Sequence, residues 1–476
     1  MYISRFLVIV SLVLLSACRV GPNYSQPKIE VPEKYKEARK GWKVAEPRDA
    51  LSRGEWWRVF KDPELNRLVD QVNISNQNIA IAEAQYRQAC AFVNEAVAAY
   101  YPTVSGSAAV TRQKTSSNIN VGSVSNTNAS VQGKPFTNYM LSLNATWEPD
   151  LWGGIGRSVE ASRAGFEASV AEEAAVRLSM QGSLAQFYFQ LRASDENQKL
   201  LDETVVAYQK SLQLTKNRYA AGVASRLDIL LAQTQLETAQ TAAIDNGINR
   251  AQYEHAVAVL IGKPPGVFSL SSQKYALLPP AIPVQLPSAL LERRPDVAKA
   301  ERLAAQANAQ IGVAISAFFP TLTLSAAGGY SSNTFSKLFT QPARFWSLGP
   351  ALAETIFDGG LRSAVVAAAR ANYDETVASY RQVVLSAFQD VEDNLVSLRR
   401  LNAEAVVQKE AVLSAEKALQ FTMNEYKAGT VAYSQVITAQ TTLFAAKQTA
   451  ITINGRRMVA AVGLIKALGG GWKACD

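Results

Sequence analysis

The feature that most constrains this chain is where its prolines are missing. None lies between Pro149 and Pro264, and none follows Pro350. Proline inside a helix costs about 3 kcal/mol, so these two proline-free stretches, each more than 100 residues long, leave room for very long helices. The segments between them read as turns and strands. At roughly 150 residues per domain the length predicts about three domains, but an internal repeat replaces that count with two copies of one plan.

The repeat is read from Arg218-Tyr219-Ala220-Ala221-Gly222-Val223, continuing to Asp228, against Glu425-Tyr426-Lys427-Ala428-Gly429-Thr430. The offset of 426 − 219 = 207 holds without a gap far upstream: Arg163 matches Arg370, Leu178 matches Leu385, and Leu191-Arg192 match Leu398-Arg399. Val205, Tyr208, Leu212 and Tyr219 fall on heptad spacing, and Val412, Ala415, Leu419 and Tyr426 keep it. Each copy is expected to hold a helix, about 156–220 and 361–427, of near 100 Å at about 1.5 Å per residue. Gly222 and Gly429 supply the left-handed position at each helix end, and a second helix returns antiparallel to about 261 and 467. Shorter helices, 66–99 and 288–317, precede the long ones and end at Tyr101-Pro102 and Phe319-Pro320.

After each of those prolines the period changes to two. Val104, Gly106, Ala108 and Val110 alternate with polar residues, as do Tyr139, Leu141, Leu143, Ala145 and Trp147. Leu322, Leu324, Ala326 and Tyr330 repeat the pattern, with Trp346, Leu348 and Leu352 following. These are four strands with one apolar face and one polar or small face, and Pro350 in the fourth demands a bulge or a position without a ladder donor. The Ser/Asn/Gly-rich stretch Gln113–Gly133 reads as a water-exposed loop. Four strands cannot close a barrel, and open edges are not tolerated in lipid, so the chain must pool strands with copies of itself. A polar inward face favours three copies and about twelve strands over two copies and about eight.

The N-terminus sets the compartment. Arg5 and the apolar run Phe6–Ala17 are too short to span a bilayer, and Leu15-Ser16-Ala17-Cys18 resembles a bacterial lipoprotein signal, which implies Cys18 as the acylated residue. Arg19, not Asp, follows it, which in that resemblance implies the outer membrane. Cys90 and Cys475 read as structural. One histidine, His255, rules out multi-histidine metal sites and leaves a catalytic triad a single candidate base. The net charge of +8 is dispersed along the helices without a basic aromatic patch, which argues against nucleic acid. Trp56-Trp57 and Arg293-Arg294-Pro295-Asp296 read as packing and as a helix-start anchor, and Gly469-Gly470-Gly471-Trp472 as a flexible end.

Four segments carry a resemblance: Glu55-Trp56-Trp57-Arg58-Val59-Phe60, Leu290-Leu291-Glu292-Arg293-Arg294-Pro295-Asp296-Val297, Ala307-Asn308-Ala309-Gln310-Ile311-Gly312, and Ile356-Phe357-Asp358-Gly359-Gly360. With the lipid signal they resemble the outer membrane factor family, the TolC-like and NodT-like lipoproteins that form the exit duct of tripartite efflux pumps. The resemblance implies a mainly α fold with β: long antiparallel helices forming a periplasmic α-barrel, and four strands per chain contributing to a trimeric 12-stranded transmembrane β-barrel. It implies a homotrimer, outer membrane lipid around the barrel, an inner-membrane transporter of the resistance-nodulation-division (RND) class and a periplasmic adaptor (membrane fusion protein). It implies neither an enzyme nor any cofactor beyond the lipid on Cys18. Adaptor docking maps to the two tips, at Tyr219, Gly222 and Asp228 and at Tyr426 and Gly429. Relatives often place aspartates just past the second turn. Here those positions are Gln435 and Thr438, so the expected gate is a neutral one around Tyr433, Gln435 and Thr438.

The expected organisation is a signal peptide 1–17, a lipidated extended segment 18–65, a first repeat 66–266 with hairpin 103–148, a linker 267–287, a second repeat 288–468 with hairpin 321–356, and a tail 469–476. The readings set against a drug-efflux duct are a type I protein secretion duct and a structural lipoprotein without a pore.

Overall fold

Two helices of nearly equal length set the architecture. The computed structural model describes residues 19–30, 32, 35–36, 54–114, 135–273, 275, 278–280 and 294–470. The signal segment, Cys18, most of the first hairpin loop and Cys475 lie outside the described residues. In chain order the elements are α1 (Pro63–Ser75), α2 (Gln77–Ala98), β1 (Thr103–Gln113), β2 (Phe136–Trp147), α3 (Gly154–Ala220), α4 (Arg226–Leu260), α5 (Pro295–Ser316), β3 (Thr321–Ser332), β4 (Arg344–Ala353), α6 (Leu361–Ala428) and α7 (Tyr433–Ala467). The fold is mainly helical, as expected, and α3 and α6 begin and end within two residues of the expected positions. No helix among the described residues is long and apolar enough to cross a membrane.

The chain divides into two units. The first takes in the described residues up to Gln26, Gln88–Phe166 and Arg302–Val377. Its centre is one antiparallel sheet in the order β1-β2-β3-β4. The register sets Val104, Gly106, Ala108 and Val110 opposite Ala145, Leu143, Leu141 and Tyr139, and Leu141, Leu143 and Ala145 opposite Tyr330, Gly328 and Ala326. One face is therefore apolar across all four strands, and Val104, Leu143, Trp346, Leu348 and Leu352 on it are each more than 60% exposed. The other face is polar or small. Ser142 on it is buried, 2.8 Å from Ser107 Oγ, and Ser331 donates to Asn138 at 3.0 Å. Of the two placements expected for Pro350, a bulge or a position without a ladder donor, the bulge is absent: Pro350 pairs with Leu324 in continuous register.

A strap formed by residues 19–23 is bolted to this unit. The buried Arg157 guanidinium donates to Val20 O, Gly21 O and Asn23 Oδ1 at 3.0, 3.1 and 2.9 Å, and pairs with Glu160 at 2.9 Å. Asn308 on α5 donates to Pro22 O at 3.1 Å, and Arg19 to Gly156 O at 3.0 Å. Gly312 is required here, since a Cβ would sit 2.7 Å from Arg157 Cγ. At the helix-facing end of the sheet, Trp152 stacks on Phe319 at 4.9 Å and donates to Pro320 O.

The second unit holds Pro27–Arg87, Glu167–Glu301 and Ala378–Asp476. One core joins Trp56, Trp57, Leu65, Leu68 and Val72 to Leu184, Tyr188, Phe189, Val257, Ile261 and Val462. The tryptophan pair is thus packing, with Trp56 Nε1 donating to Gln181 at 3.0 Å. A second core gathers Val297, Tyr380, Val384, Val391, Leu395 and Leu464. Arg294 anchors the start of α5, pairing with Asp296 and Asp390 at 2.6 and 3.0 Å. The buried Arg192 and half-buried Arg250 share Asp195 and donate to Ser271 O and Leu270 O, clasping the segment that leaves α4.

Two helix boundaries depart from expectation. The stretch 66–99 is broken at Asn76, whose backbone is extended and whose Oδ1 accepts from Asn78 N and Ile79 N, starting a new helix. Asp62 caps the first of the two pieces and moves its start back to Pro63. Gly469 and Gly470 are not loose: with positive φ they donate to Lys466 O and Ile465 O and close α7.

Candidate functional site

The two helical turns at the ends of α3 and α6 share a backbone solution. Gly222 has φ +76° and donates to Tyr219 O, while Val223 N reaches Arg218 O. Gly429 has φ +80° and donates to Tyr426 O, while Thr430 N reaches Glu425 O. The doubled hydrogen bonds satisfy carbonyls that a helix end would otherwise leave open.

Beyond the glycine the two tips differ. In the first, Ser225 Oγ accepts from Asp228 N at 3.1 Å and Asp228 Oδ2 accepts from Ser225 N at 3.0 Å, a reciprocal cap for α4. The Asp228 carboxylate is thereby engaged in the fold of its own turn. In the second, Ala432 stands at the cap position and no side chain caps α7. That tip is held by packing: the Tyr426 and Tyr433 rings lie 5.2 Å apart, and Tyr426, Tyr433, Val436 and Ala232 form a buried cluster with Leu212, Leu419 and Met423 against it.

The tips are tied to each other by Arg218. Its guanidinium lies 4.6 Å over the Tyr426 ring, and its Nη1 donates to Lys427 O at 3.1 Å. Below this, Gln440 donates to Ser211 Oγ at 2.9 Å. Burial pushes the Tyr433 phenol above its ordinary value, and the polar side chains of Ser211 and Thr215 beside it offset part of that rise. The Tyr426 hydroxyl is buried without a partner among the described residues.

The expected docking residues therefore separate. Tyr219 is 47% exposed while Tyr426 is 4% exposed, so the shared heptad seam does not reach Tyr219 as expected. The reason lies across the turn, where the position matching Tyr433 is Arg226, which offers no ring for Tyr219 to pack on. Gly222 and Gly429 are at the surface. The expected gate residues separate as well. Gln435 and Thr438 are exposed, whereas Tyr433 is buried at 2% exposure inside the tip. Arg218 escaped the sequence reading, although its match to Glu425 in the other copy, a reversal of charge, marks it.

Elsewhere, His255 is exposed, and no group of three or more His, Cys, Asp or Glu among the described residues is placed to hold a metal ion.

A duplicated plan of long helical hairpins feeding one antiparallel sheet defines the class, a TolC-like outer membrane channel fold. The family model described as outer membrane efflux protein matches residues 68–263 and 286–470, and the chain belongs to that family. It is 30% identical over 470 residues to the pyoverdine export outer membrane protein OpmQ of Pseudomonas aeruginosa, covering 98% of this chain and 97% of that one. It is 28% identical over 476 residues to the probable outer membrane lipoprotein SilC of Salmonella typhimurium, covering 99% and 100%. Among solved structures, the outer-membrane channel OprN matches with a TM-score of 0.84 at 28% identity, over 96% of this chain and 100% of that one. The protein is thus an outer membrane efflux channel, and its relatives are channels rather than enzymes.

Proposed function

We propose that this chain is the exit duct of a tripartite efflux system, a passive conduit driven by an inner-membrane pump of the RND class through a periplasmic adaptor. The observation that carries the proposal is the sheet: four strands with an exposed apolar face, a polar opposite face and two unpaired edges, β1 and β4. Unpaired edges are not viable in lipid. A homotrimer removes them, since three copies of a four-stranded sheet make twelve strands, 3 × 4, closed around a lumen lined by the Ser, Asn and Thr face. The helical hairpins then form the periplasmic conduit.

The lipid anchor on Cys18 is supported by the strap. Arg19 through Asn23 are fixed to α3 and α5 beside Trp152 and Phe319, at the helix-facing end of the sheet. An acyl chain on the preceding residue enters the adjacent leaflet there. The domain plan follows: a cleaved segment 1–17, then two repeats, 66–266 and 288–468, each with one hairpin and one helical pair.

The adaptor docks on the exposed parts of the tips, Tyr219, Gly222 and Gly429, with Asp228 and Tyr426 shaping them from within. The gate rests on Gln435 and Thr438, one helical turn apart and both exposed, with Tyr433 as the packed base that orients them. Single-channel conductance tests both levels. The purified protein is expected to conduct in planar bilayers, and Gln435→Ala with Thr438→Ala to raise the open fraction. A protein that inserts without conducting overturns the duct, and unchanged closure in both variants overturns the gate.

A further inference from the structure

We propose that the loop-side end of the sheet is a binding site for a phosphorylated glycolipid of the outer leaflet. This rests on the reading of the sheet as a membrane barrel. The first observation is a segregation of charge. Across 102–147 and 318–353 there are five basic residues, Arg112, Lys114, Lys134, Lys337 and Arg344, and no acidic one. The four described ones, Arg112, Lys114, Lys337 and Arg344, lie in or beside the two loops, and Lys134 falls outside the described residues. The acids begin only where the chain returns to the helices, at Glu148, Asp150, Glu354 and Asp358. One end of the sheet is therefore purely cationic.

The second observation is the face on which the cations sit. The register pairs Arg112 with Thr137, two residues along from Val110 opposite Tyr139, and pairs Arg344 with Tyr330. Both arginines belong to the apolar face. Both are exposed, and neither has an ion pair or side-chain hydrogen bond among the described residues, so their charge is available to a ligand.

The third observation is shape. Glycine and alanine at Gly106, Ala108 and Gly328 leave an open depression of about 740 Å³ in the apolar face, walled by Leu141, Leu143 and Trp346 and bordered by Arg344. That size suits acyl chains, with a guanidinium at the rim for a phosphate. The β3–β4 loop folds back onto the same face, with Phe335 against Tyr139 and Phe339 against Tyr330, each at 5.6 Å. These rings form an aromatic girdle at headgroup depth. Barrel closure sets β4 of one copy beside β1 of the next, so Arg344 and Arg112 flank each seam between copies.

The test uses the purified full-length protein, with lipid A carrying both phosphates as probe and native mass spectrometry as readout. Retention of this lipid is expected to exceed that of phosphate-free lipid A by about tenfold, and Arg112→Gln with Arg344→Gln to abolish that margin, given the attraction of each cation near a phosphate surface. Arg344→Lys is expected to keep most of the margin. Channel conductance of the double variant stays at the wild-type level, which shows that it has folded and assembled. Equal retention of the two lipids by the wild-type protein, or of the phosphorylated lipid by both proteins, overturns the proposal. So does full displacement by millimolar inorganic phosphate, which would make the occupant a free anion. A wild-type protein that neither conducts nor retains lipid overturns the barrel reading itself, whereas a conducting protein with unchanged lipid retention overturns only the lipid site.

Discussion

The two helical tips began as copies of one sequence and hold their turns by different physics. The first, at Gly222, is closed by hydrogen bonds between Ser225 and Asp228 and leaves Tyr219, Val223 and Leu227 exposed. The second, at Gly429, has no side-chain cap and hides its aromatic residues in a core shared with Leu212 and Ala232 of the first helical hairpin. The backbone turn is common to both, because a positive φ is needed at the same place. The side chains around it were free to diverge: one tip presents apolar surface, and the other packs Tyr433 beneath the exposed Gln435 and Thr438. Arg218, reaching from one to the other, lets the rigid tip brace the exposed one.

The largest expected break in this comparison is Tyr433→Ala. Removing a ring that is 2% exposed is expected to cost about 3–5 kcal/mol, whereas Arg226→Ala at the matching exposed position should stay within about 0.5 kcal/mol. Thermal unfolding followed by circular dichroism checks the pair, and equal shifts would mean the tips are not held differently. Next come the caps: Ser225→Ala is expected to lose about 1 kcal/mol and Ala432→Ser to gain a similar or smaller amount, read from the same unfolding curves. A loss in both would contradict the cap assignment. The smallest effect separates two hydroxyls. Tyr433→Phe should cost up to about 1 kcal/mol because its hydroxyl faces the polar side chains of Ser211 and Thr215, while Tyr426→Phe should change stability by less than about 0.5 kcal/mol because its hydroxyl is buried without a bond.

Much of the fold was legible because it follows from local rules. Absent prolines permitted α3 and α6, the glycines at 222 and 429 ended them, and period-two alternation marked all four strands within a few residues. What escaped depended on partners far away in sequence. Asn76 is a tolerable helix residue until Leu260 O offers it a bond at 2.7 Å, after which it breaks the helix. For Pro350, alternation left two placements open, a bulge or a position without a ladder donor, and only the strand register removed the bulge. At the site, Tyr219 and Tyr426 shared a heptad position, yet their burial was decided across the turn by Arg226 and Tyr433. The strap was equally hidden, since nothing in Arg157 itself announces that its guanidinium will collect three acceptors from residues 20–23.

The central claim is that this sheet has no open edge in the membrane. Hydrogen–deuterium exchange of the purified protein in lipid nanodiscs reads that claim directly, by comparing peptides from the outer strands, Thr103–Gln113 and Arg344–Ala353, with those from Phe136–Trp147 and Thr321–Ser332. Closure predicts that β1 and β4 are protected as strongly as β2 and β3. Fast exchange confined to β1 and β4 would contradict it, leaving an open sheet where a barrel is required.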